Sequence, residues 1–234
     1  KKNHIVEIFE SQSKVTAKKI FKNLSSKIFD RLVIAGGDGS FNFAVNEILK
    51  YPSLKDKKIG YIPTGTANIL QIEIRIQKNS EAIAEILTAE NTKKISLAKI
   101  NNQFFFLMTG VGFDGRIVDS IDTGVKKYLG KVIFVLKGFQ HFFFLNNDKM
   151  EVLYDNKKIE ADWVLSTNSK YYAGPHKITK ITDIFQNGLV TYIFKDLTRV
   201  KILYYLFLIL FYGDLSKAKS IITTQSNYIK ITRL

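Results

Sequence analysis

Cysteine is absent from the 234 residues. That excludes disulfides, thiolate metal sites and a cysteine nucleophile, and nothing in the chain requires an oxidising compartment. Long apolar runs are lacking too. Residues 202–212 are eleven apolar residues without a break, and a helix of that length, at about 1.5 Å per residue, falls short of a hydrocarbon core about 30 Å thick. The run reads either as a buried helix or as one lying in a membrane interface, with Tyr204, Tyr205 and Tyr212 near headgroup level. The first ten residues hold no apolar segment of signal-peptide length, and the chain opens on Lys1 instead of Met, so a preceding native start is expected. Internal repeats, low-complexity linkers and nucleic-acid-binding motifs are all missing.

Acid is the scarcer charge. Against 35 Lys and Arg stand 21 Asp and Glu, a net charge of +14. The basic residues are scattered and form no run. Phosphate or an anionic membrane surface would feel this excess, each basic residue near such a surface contributing about 1 kcal/mol. A compositional bias toward Lys, Ile, Asn and Phe would produce the same excess without a partner. Apolar residues at 46% and charged ones at 24% describe an ordinary globular chain, long enough for two modest domains.

What is present concentrates in residues 32–49, LVIAGGDGSFNFAVNEIL. Leu32, Val33, Ile34 and Ala35 suit a strand buried on both faces of a parallel sheet. Gly36, Gly37, Asp38 and Gly39 follow at once. Three glycines allow a sharp turn with positive φ and let a ligand approach the main chain where a Cβ would collide. Phe41, Ala44, Val45, Ile48 and Leu49 then recur on one helical face, with Ser40 placed as N-cap. Strand, glycine turn and helix N-terminus aim backbone N–H groups and a positive dipole end at one point, an arrangement that holds phosphate. An ordinary strand-to-helix turn needs one glycine, not three around an acid.

A second unit of the same design follows. Residues 59–62 are the strand and Pro63, Thr64, Gly65, Thr66, Ala67 and Asn68 the turn. Proline fixes the strand exit, Gly65 permits close approach, and the hydroxyls of Thr64 and Thr66 can donate to phosphate oxygens. Two such turns on parallel strands lie at the carboxyl edge of one sheet, where open α/β sheets bind ligands.

Gly36-Gly37-Asp38-Gly39-Ser40, with Asn42 and Asn46, resembles the GGDGTxNEVxNG signature of the diacylglycerol kinase catalytic family, which includes bacterial lipid kinases and sphingosine kinases. Ser40 stands where the family usually has Thr and keeps its hydroxyl; Phe43 stands where it often has Glu. Residues 63–68 are similar to the family's PxGTxN motif. Gly110-Val111-Gly112-Phe113-Asp114-Gly115 resembles its GxGFDA segment, and Tyr171-Tyr172-Ala173-Gly174-Pro175 its YxGG-type turn. Ser11 matches the offset of a family Thr that contacts the nucleotide. The family also carries an Asp-Gly whose Asp helps bind a structural divalent cation. Here the residues are Gln186-Asn187-Gly188, a poorer ligand set for a hard cation, with Asp183 a conceivable substitute.

The rest of the chain reads as follows. Residues 4–9 are a strand, 17–24 and 81–87 helices, 95–100 and 104–108 strands joined by a turn at Asn101 and Asn102. A helix is placed at 131–139 ahead of the aromatic residues 142–144. Strands at 152–154, 163–166 and 189–194 make the second half β-rich, and 221–231 closes as a hairpin or one long strand. Asp114 suits either a cleft-organising role or an N-cap.

The fold expected from residues and resemblance together is α/β: an N-terminal three-layer domain with a parallel sheet, residues 1–94, then a β-rich, sandwich-like acceptor domain, residues 95–234, with a cleft between. The resemblance implies ATP-dependent transfer of phosphate to a hydroxyl of diacylglycerol or a related lipid, with Mg²⁺. Ser11, Gly36, Gly37, Asp38, Gly39, Ser40, Asn42, Thr64, Gly65, Thr66 and Asn68 would bind the nucleotide. Asp38 would be the catalytic and metal-binding carboxylate, and Gly112 and Asp114 would serve the acceptor. The family's general base resembles an Asp or Glu in a DG(D/E) motif after the strand at 228–232, which these residues do not include. Expected partners are ATP and a lipid at the inner face of a membrane, reached peripherally from the cytoplasm, with a homodimer admitted and nucleic acid not. Two readings stay open beside it: an NAD kinase, against which residues 65–68 argue, and a non-catalytic nucleotide or lipid binder.

Overall fold

The computed structural model of the chain describes residues 4–113, 115 and 149–234. It divides into two compact units, Lys1–Thr64 with Asn79–Thr92, and Gly65–Lys78 with Lys93–Leu234.

The first unit has the three layers expected of it. Strands β1 (Arg31–Gly36) and β2 (Lys58–Pro63) pair in parallel, Gly36 opposite Pro63. On one face lie helices α1 (Lys14–Leu24), α2 (Asp38–Ile48) and α3 (Pro52–Lys55). Their Phe21, Leu24, Ala44, Ile48 and Leu54 form a core against which Leu32 and Ile34 of β1 pack. The period of two turns Val33 to the other face, where it meets Gly60; a Cβ on Gly60 would collide with Leu87. Leu87 comes from the later helix Ser80–Thr88, N-capped by Asn79 through a 2.7 Å bond from Ala82 N–H.

Several expectations change here. Residues 4–9 form no strand: their backbone pairs with no other strand among the described residues, and Ile5, Val6 and Ile8 stand exposed. The first helix begins three residues earlier than its apolar pattern, because Ser13 and Thr16 make a capping box. Ser40 is not the cap of α2. Gly37 holds that place, extended at φ −89°, and Ser40 lies inside the first turn.

The second unit opens with α4 (Ile69–Glu73), and the helix Ser80–Thr88 of the first unit is then α5 in chain order. Strands β3 (Ala98–Ile100) and β4 (Gln103–Phe105) form the expected hairpin about Asn101, which takes the left-handed conformation at φ 51°. The following strand is separate. Phe106 and Leu107 break the ladder, the Leu107 carbonyl accepting from Asn168 N–H at 2.7 Å, and β5 (Met108–Gly112) then joins another sheet.

That sheet holds β5, β8 (Trp163–Thr167), β11 (Val190–Phe194) and β12 (Ile221–Thr224) in the order β12-β11-β8-β5. Over it lies β13-β6-β7, made by β6 (Met150–Tyr154), β7 (Lys157–Ala161) and β13 (Ile229–Arg233). Alternation sorts the faces. Val164 and Ile193 point to the second sheet with Val152 and Ala161, while Trp163, Leu165, Tyr192 and Phe194 point away from it. Short strands β9 (Tyr171–Tyr172) and β10 (His176–Lys177) pair through a turn carrying Ala173 and Gly174, both at positive φ. Residues 221–231 are neither hairpin nor single strand, since β12 pairs β11 and β13 pairs β6.

The outward face of the four-stranded sheet is covered by α6 (Arg199–Phe211), N-capped by Thr198 through a 3.2 Å bond from Lys201 N–H. Its Ile202, Tyr205, Leu208 and Ile209 join the aromatic core, in which Trp163 stacks on Phe194 at 3.8 Å between centroids. Tyr205 is buried, its hydroxyl 3.0 Å from Ser220 Oγ, so it is no headgroup residue. Among the described residues no helix is long and apolar enough to cross a membrane. The helix expected at 131–139, the aromatic residues 142–144 and Asp114 lie outside the described residues.

Candidate functional site

The parallel pairing brings the ends of β1 and β2 together, and Thr64 N–H continues the ladder to the Gly36 carbonyl at 3.0 Å. The Gly36–Gly37 turn and Thr64 therefore share one carboxyl edge within the first unit. Helix α2 starts there. Its first intrahelical bond runs from Phe41 N–H to the Gly37 carbonyl at 3.0 Å, so the N–H groups of Gly39 and Ser40 precede the helical ladder.

The glycines serve by lacking a side chain, not by left-handed backbone: none of Gly36, Gly37 and Gly39 has positive φ. A Cβ on Gly36 would come within 2.6 Å of Ser40 Cβ and 2.9 Å of Ser40 Oγ, so the serine occupies the space that glycine leaves. A Cβ on Gly39 would meet nothing within 4 Å among the described residues. That is open room in front of a helix N-terminus, the requirement for an anion.

Asp38 is half-buried in the first turn, where its charge complements the helix dipole. The buried Tyr61 of β2 lies near it and packs edge-on against Phe41 with centroids 5.1 Å apart. Burial pushes the Tyr61 phenol far above its ordinary range, and the Asp38 charge pushes the same way. The carboxylate is thus held at the strand edge beside the cradle. Asn42 sits one turn on. Its carbonyl accepts from Asn46 Nδ2 at 2.9 Å, and its own Oδ1 is buried without a hydrogen-bond partner among the described residues. Ser11 is exposed, two residues before the cap of α1.

In the second unit the turn at residues 65–68 is locked by its own asparagine. Asn68 is buried in the left-handed conformation, its Oδ1 accepting from Gly65 N–H at 3.0 Å and its Nδ2 donating to the Gly65 carbonyl at 2.8 Å. Asn68 therefore shapes Gly65, and Thr66 is the exposed hydroxyl. Five residues on, Glu73 accepts from Ser169 Oγ at 2.5 Å and Lys170 N–H at 2.6 Å, tying this segment to the residues that lead into β9. Sequence reasoning missed Glu73 because its partners lie nearly a hundred residues away.

Gly112 has a structural reason of its own. It takes φ 93°, and a Cβ would collide with the Asp162 carbonyl and approach Met150 Cε at 2.9 Å.

A single carboxylate suits Mg²⁺ carried by nucleotide phosphates, since that ion is ordinarily held by one or two carboxylates plus phosphate oxygens and water. Asp38 fits. The structural cation is another matter. Asp183 is 2.8 Å from the Lys170 ammonium and accepts from Phe185 N–H at 3.0 Å, and Asn187 Oδ1 accepts from Ser96 Oγ at 3.1 Å. An ammonium already neutralises that carboxylate, and no cluster of three His, Asp or Glu occurs among the described residues. These residues do not fit a structural metal.

Residues 1–100 match the family model of the diacylglycerol kinase catalytic domain. That match covers less than half of the chain, and it is residues 1–100 that are similar to the family's catalytic domain. It is 25% identical over 137 residues to a diacylglycerol kinase of Staphylococcus haemolyticus, covering 58% of this chain and 41% of that protein. To a diacylglycerol kinase of Staphylococcus aureus it is 24% identical over 210 residues, covering 88% of this chain and 65% of the relative. The matches thus span less than two thirds of these curated relatives' length. A crystal structure of a diacylglycerol kinase from Bacillus anthracis str. Sterne superposes with a TM-score of 0.71 at 23% identity, over 94% of this chain and 72% of the other. That likeness establishes the fold. Within the family match lie both glycine turns, at residues 36–40 and 63–68.

Proposed function

We propose that this chain belongs to an ATP-dependent lipid kinase that phosphorylates a hydroxyl of diacylglycerol or a related lipid. The carrying observation is the open N-terminus of α2 at Gly39 and Ser40, beside Asp38, at the carboxyl edge of β1 and β2. Names of relatives supply the direction; this cradle supplies the chemistry. The nucleotide phosphates would lie over the first turn of α2, accepting from its N–H groups and from the hydroxyls of Ser40 and Thr64. Asp38 would hold Mg²⁺ against those phosphates, and the ion would neutralise charge on the transferring group. In the transfer the lipid hydroxyl oxygen bonds to the γ-phosphorus, the bond from that phosphorus to the bridging oxygen breaks, ADP leaves, and the hydroxyl proton passes to a base. Asp183 is ill suited as that base. The hydrogen bond from Lys170 and the one from Phe185 N–H hold its pKa below the usual carboxylate range, which weakens it as a proton acceptor.

The test is transfer of label from γ-labelled ATP to the chloroform phase when diacylglycerol is supplied in micelles, with the full protein and its Asp38→Asn variant. Transfer is expected in the parent and a loss of at least ~100-fold in the variant, with unfolding free energy changed by no more than about 1 kcal/mol, the scale of one helix-dipole charge. Transfer to NAD and not to lipid would refute the lipid reading. Nucleotide binding without any transfer would leave a binder in place of a kinase.

A further inference from the structure

From Ile202 onward helix α6 is apolar on every side, yet only one side of it is buried. Ile202, Tyr205, Leu208 and Ile209 enter the core of the second unit. Val200, Leu203, Tyr204, Leu206, Phe207, Leu210, Phe211 and Tyr212 are exposed. At 100° per residue the exposed positions from Val200 to Phe211 cover about 160° of the helix surface along about 17 Å of its length, and Tyr212 follows as the C-cap. No charged residue occurs from Ile202 to Gly213. A contiguous apolar face of this kind marks an interaction site, not scattered exposure. Phe207 packs on Phe211 and Tyr212, with centroids 4.8 and 5.9 Å apart, so the aromatic residues of the face lie against one another.

Charge around the face selects the occupant. From Lys195 to Lys219 stand Lys195, Arg199, Lys201, Lys217 and Lys219 against Asp196 and Asp214. Asp196 is engaged by Lys149 at 3.0 Å, and Asp214 caps the short 3-10 helix Leu215–Lys217. Lys217 Nζ lies 4.3 Å above the Tyr212 ring, a cation held at the rim of the apolar face. Two copies of the chain meeting through α6 would oppose two such cationic rims. A bilayer rich in anionic phospholipid offers the complement of both parts: acyl chains for the apolar face and headgroup charge for the rim. Tyr204 and Tyr212, aromatic with a polar tip, suit the boundary between them.

We infer that α6 is a membrane-docking helix, lying in the plane of an anionic phospholipid surface with one side in the protein core and the other among the acyl chains. The inference rests on the lipid-kinase reading only in naming where the enzyme meets the phase that holds its acceptor; the docking itself needs no turnover.

The experiment is flotation of the full protein with vesicles of equal phosphatidylglycerol and phosphatidylcholine, and with phosphatidylcholine alone. The parent is expected to float with the anionic vesicles at least tenfold more tightly, and less so as salt rises. The variant Leu203→Gln/Phe207→Gln/Phe211→Gln alters only exposed positions and should lose at least tenfold in vesicle affinity; Lys217→Ala/Lys219→Ala should lose the preference for anionic lipid. Fluorescence of Trp163, the single tryptophan, buried against Phe194, confirms that each variant is folded. With folded variants, undiminished vesicle binding would overturn the inference. So would a parent that ignores vesicles and forms a dimer which the triple substitution dissociates. Phosphorylation of a water-soluble short-chain diacylglycerol is expected to survive in the triple variant. A parent that docks but transfers no phosphate to any lipid supports the docking and refutes the kinase.

Discussion

Gly39→Ala separates a phosphate cradle from an ordinary helix start, because the two readings differ in which measurement should move. Gly39 lies in the first turn of α2, without positive φ and with nothing within 4 Å of the place a Cβ would take. Alanine there meets no clash. Glycine in a helix is destabilising by roughly 0.5–1 kcal/mol relative to alanine, so the variant should be more stable, by about 2–4 °C in Tm for each kcal/mol in a chain of this length. An ordinary helix start predicts that gain and nothing more. A cradle predicts a loss as well. Phosphate oxygens must come to about 2.7–3.2 Å from the first-turn nitrogens, and a methyl group standing in the open space holds them off. Each hydrogen bond to a charged group contributes about 1.5–3 kcal/mol, so weakening one is enough to reduce ATP affinity about tenfold, or 1.4 kcal/mol. Thermal unfolding and calorimetric titration with ATP and Mg²⁺ on the same preparation read both quantities. A variant that melts higher and binds ATP like the parent would refute the assignment of the cradle to this turn.

Gly112→Ala should behave oppositely, with stability falling by about 1–3 kcal/mol or more in urea denaturation, because the new Cβ meets the Asp162 carbonyl in a backbone conformation strained for alanine. Lys170→Met should cost stability in a pH-dependent way. Asp183 has its pKa lowered chiefly by Lys170, so the pair's contribution is fully present above the unfolded carboxylate value of about 3.9 and is lost as pH falls through the lower folded value. Denaturation from pH 7 to pH 2 should show the difference between parent and variant constant down to about pH 4 and closing below it; a difference that grows with acid would contradict the pairing.

Periodicity was a sound guide wherever an element buries one face on its near neighbours. The apolar stripe of α2 needed only Phe41, Ala44, Val45 and Ile48, and all four are buried. It failed where burial depends on distant strands. Residues 4–9 have a strand's composition, but no ladder of the described residues receives them, and composition alone supplies no hydrogen-bond partner. Strands β12 and β13 follow each other closely and suggest a hairpin. The edges of β11 and β6, both far back in the chain, take one each. For α6 the run of apolar residues left burial and interface as alternatives, and the structure divides the helix between them: residues 202, 205, 208 and 209 go inward. At Ser40 the capping pattern misleads, because a serine before an apolar face looks like an N-cap. The backbone turns helical two residues earlier, at Asp38, and leaves Ser40 to lean over Gly36.

Satisfaction of polar groups then distinguishes residues able to touch a ligand from those that shape the turn. A buried amide whose donor and acceptor are both used within the protein has little left to offer a nucleotide. Asn68 is in that position, spending both ends of its side chain on Gly65. Its identity follows from the turn. Aspartate would keep the bond from Gly65 N–H and set a negative oxygen against the Gly65 carbonyl. Ser40, Thr64 and Thr66 differ in kind: their side chains are exposed, and hydroxyl donors at an anion site are useful only if they reach it. Gly36 and Gly39 differ again. The first is glycine because Ser40 fills its side-chain space, the second although nothing fills it. A glycine in a helix at a cost in stability, facing room that none of the described residues fills, is accounted for by the anion expected at that helix start.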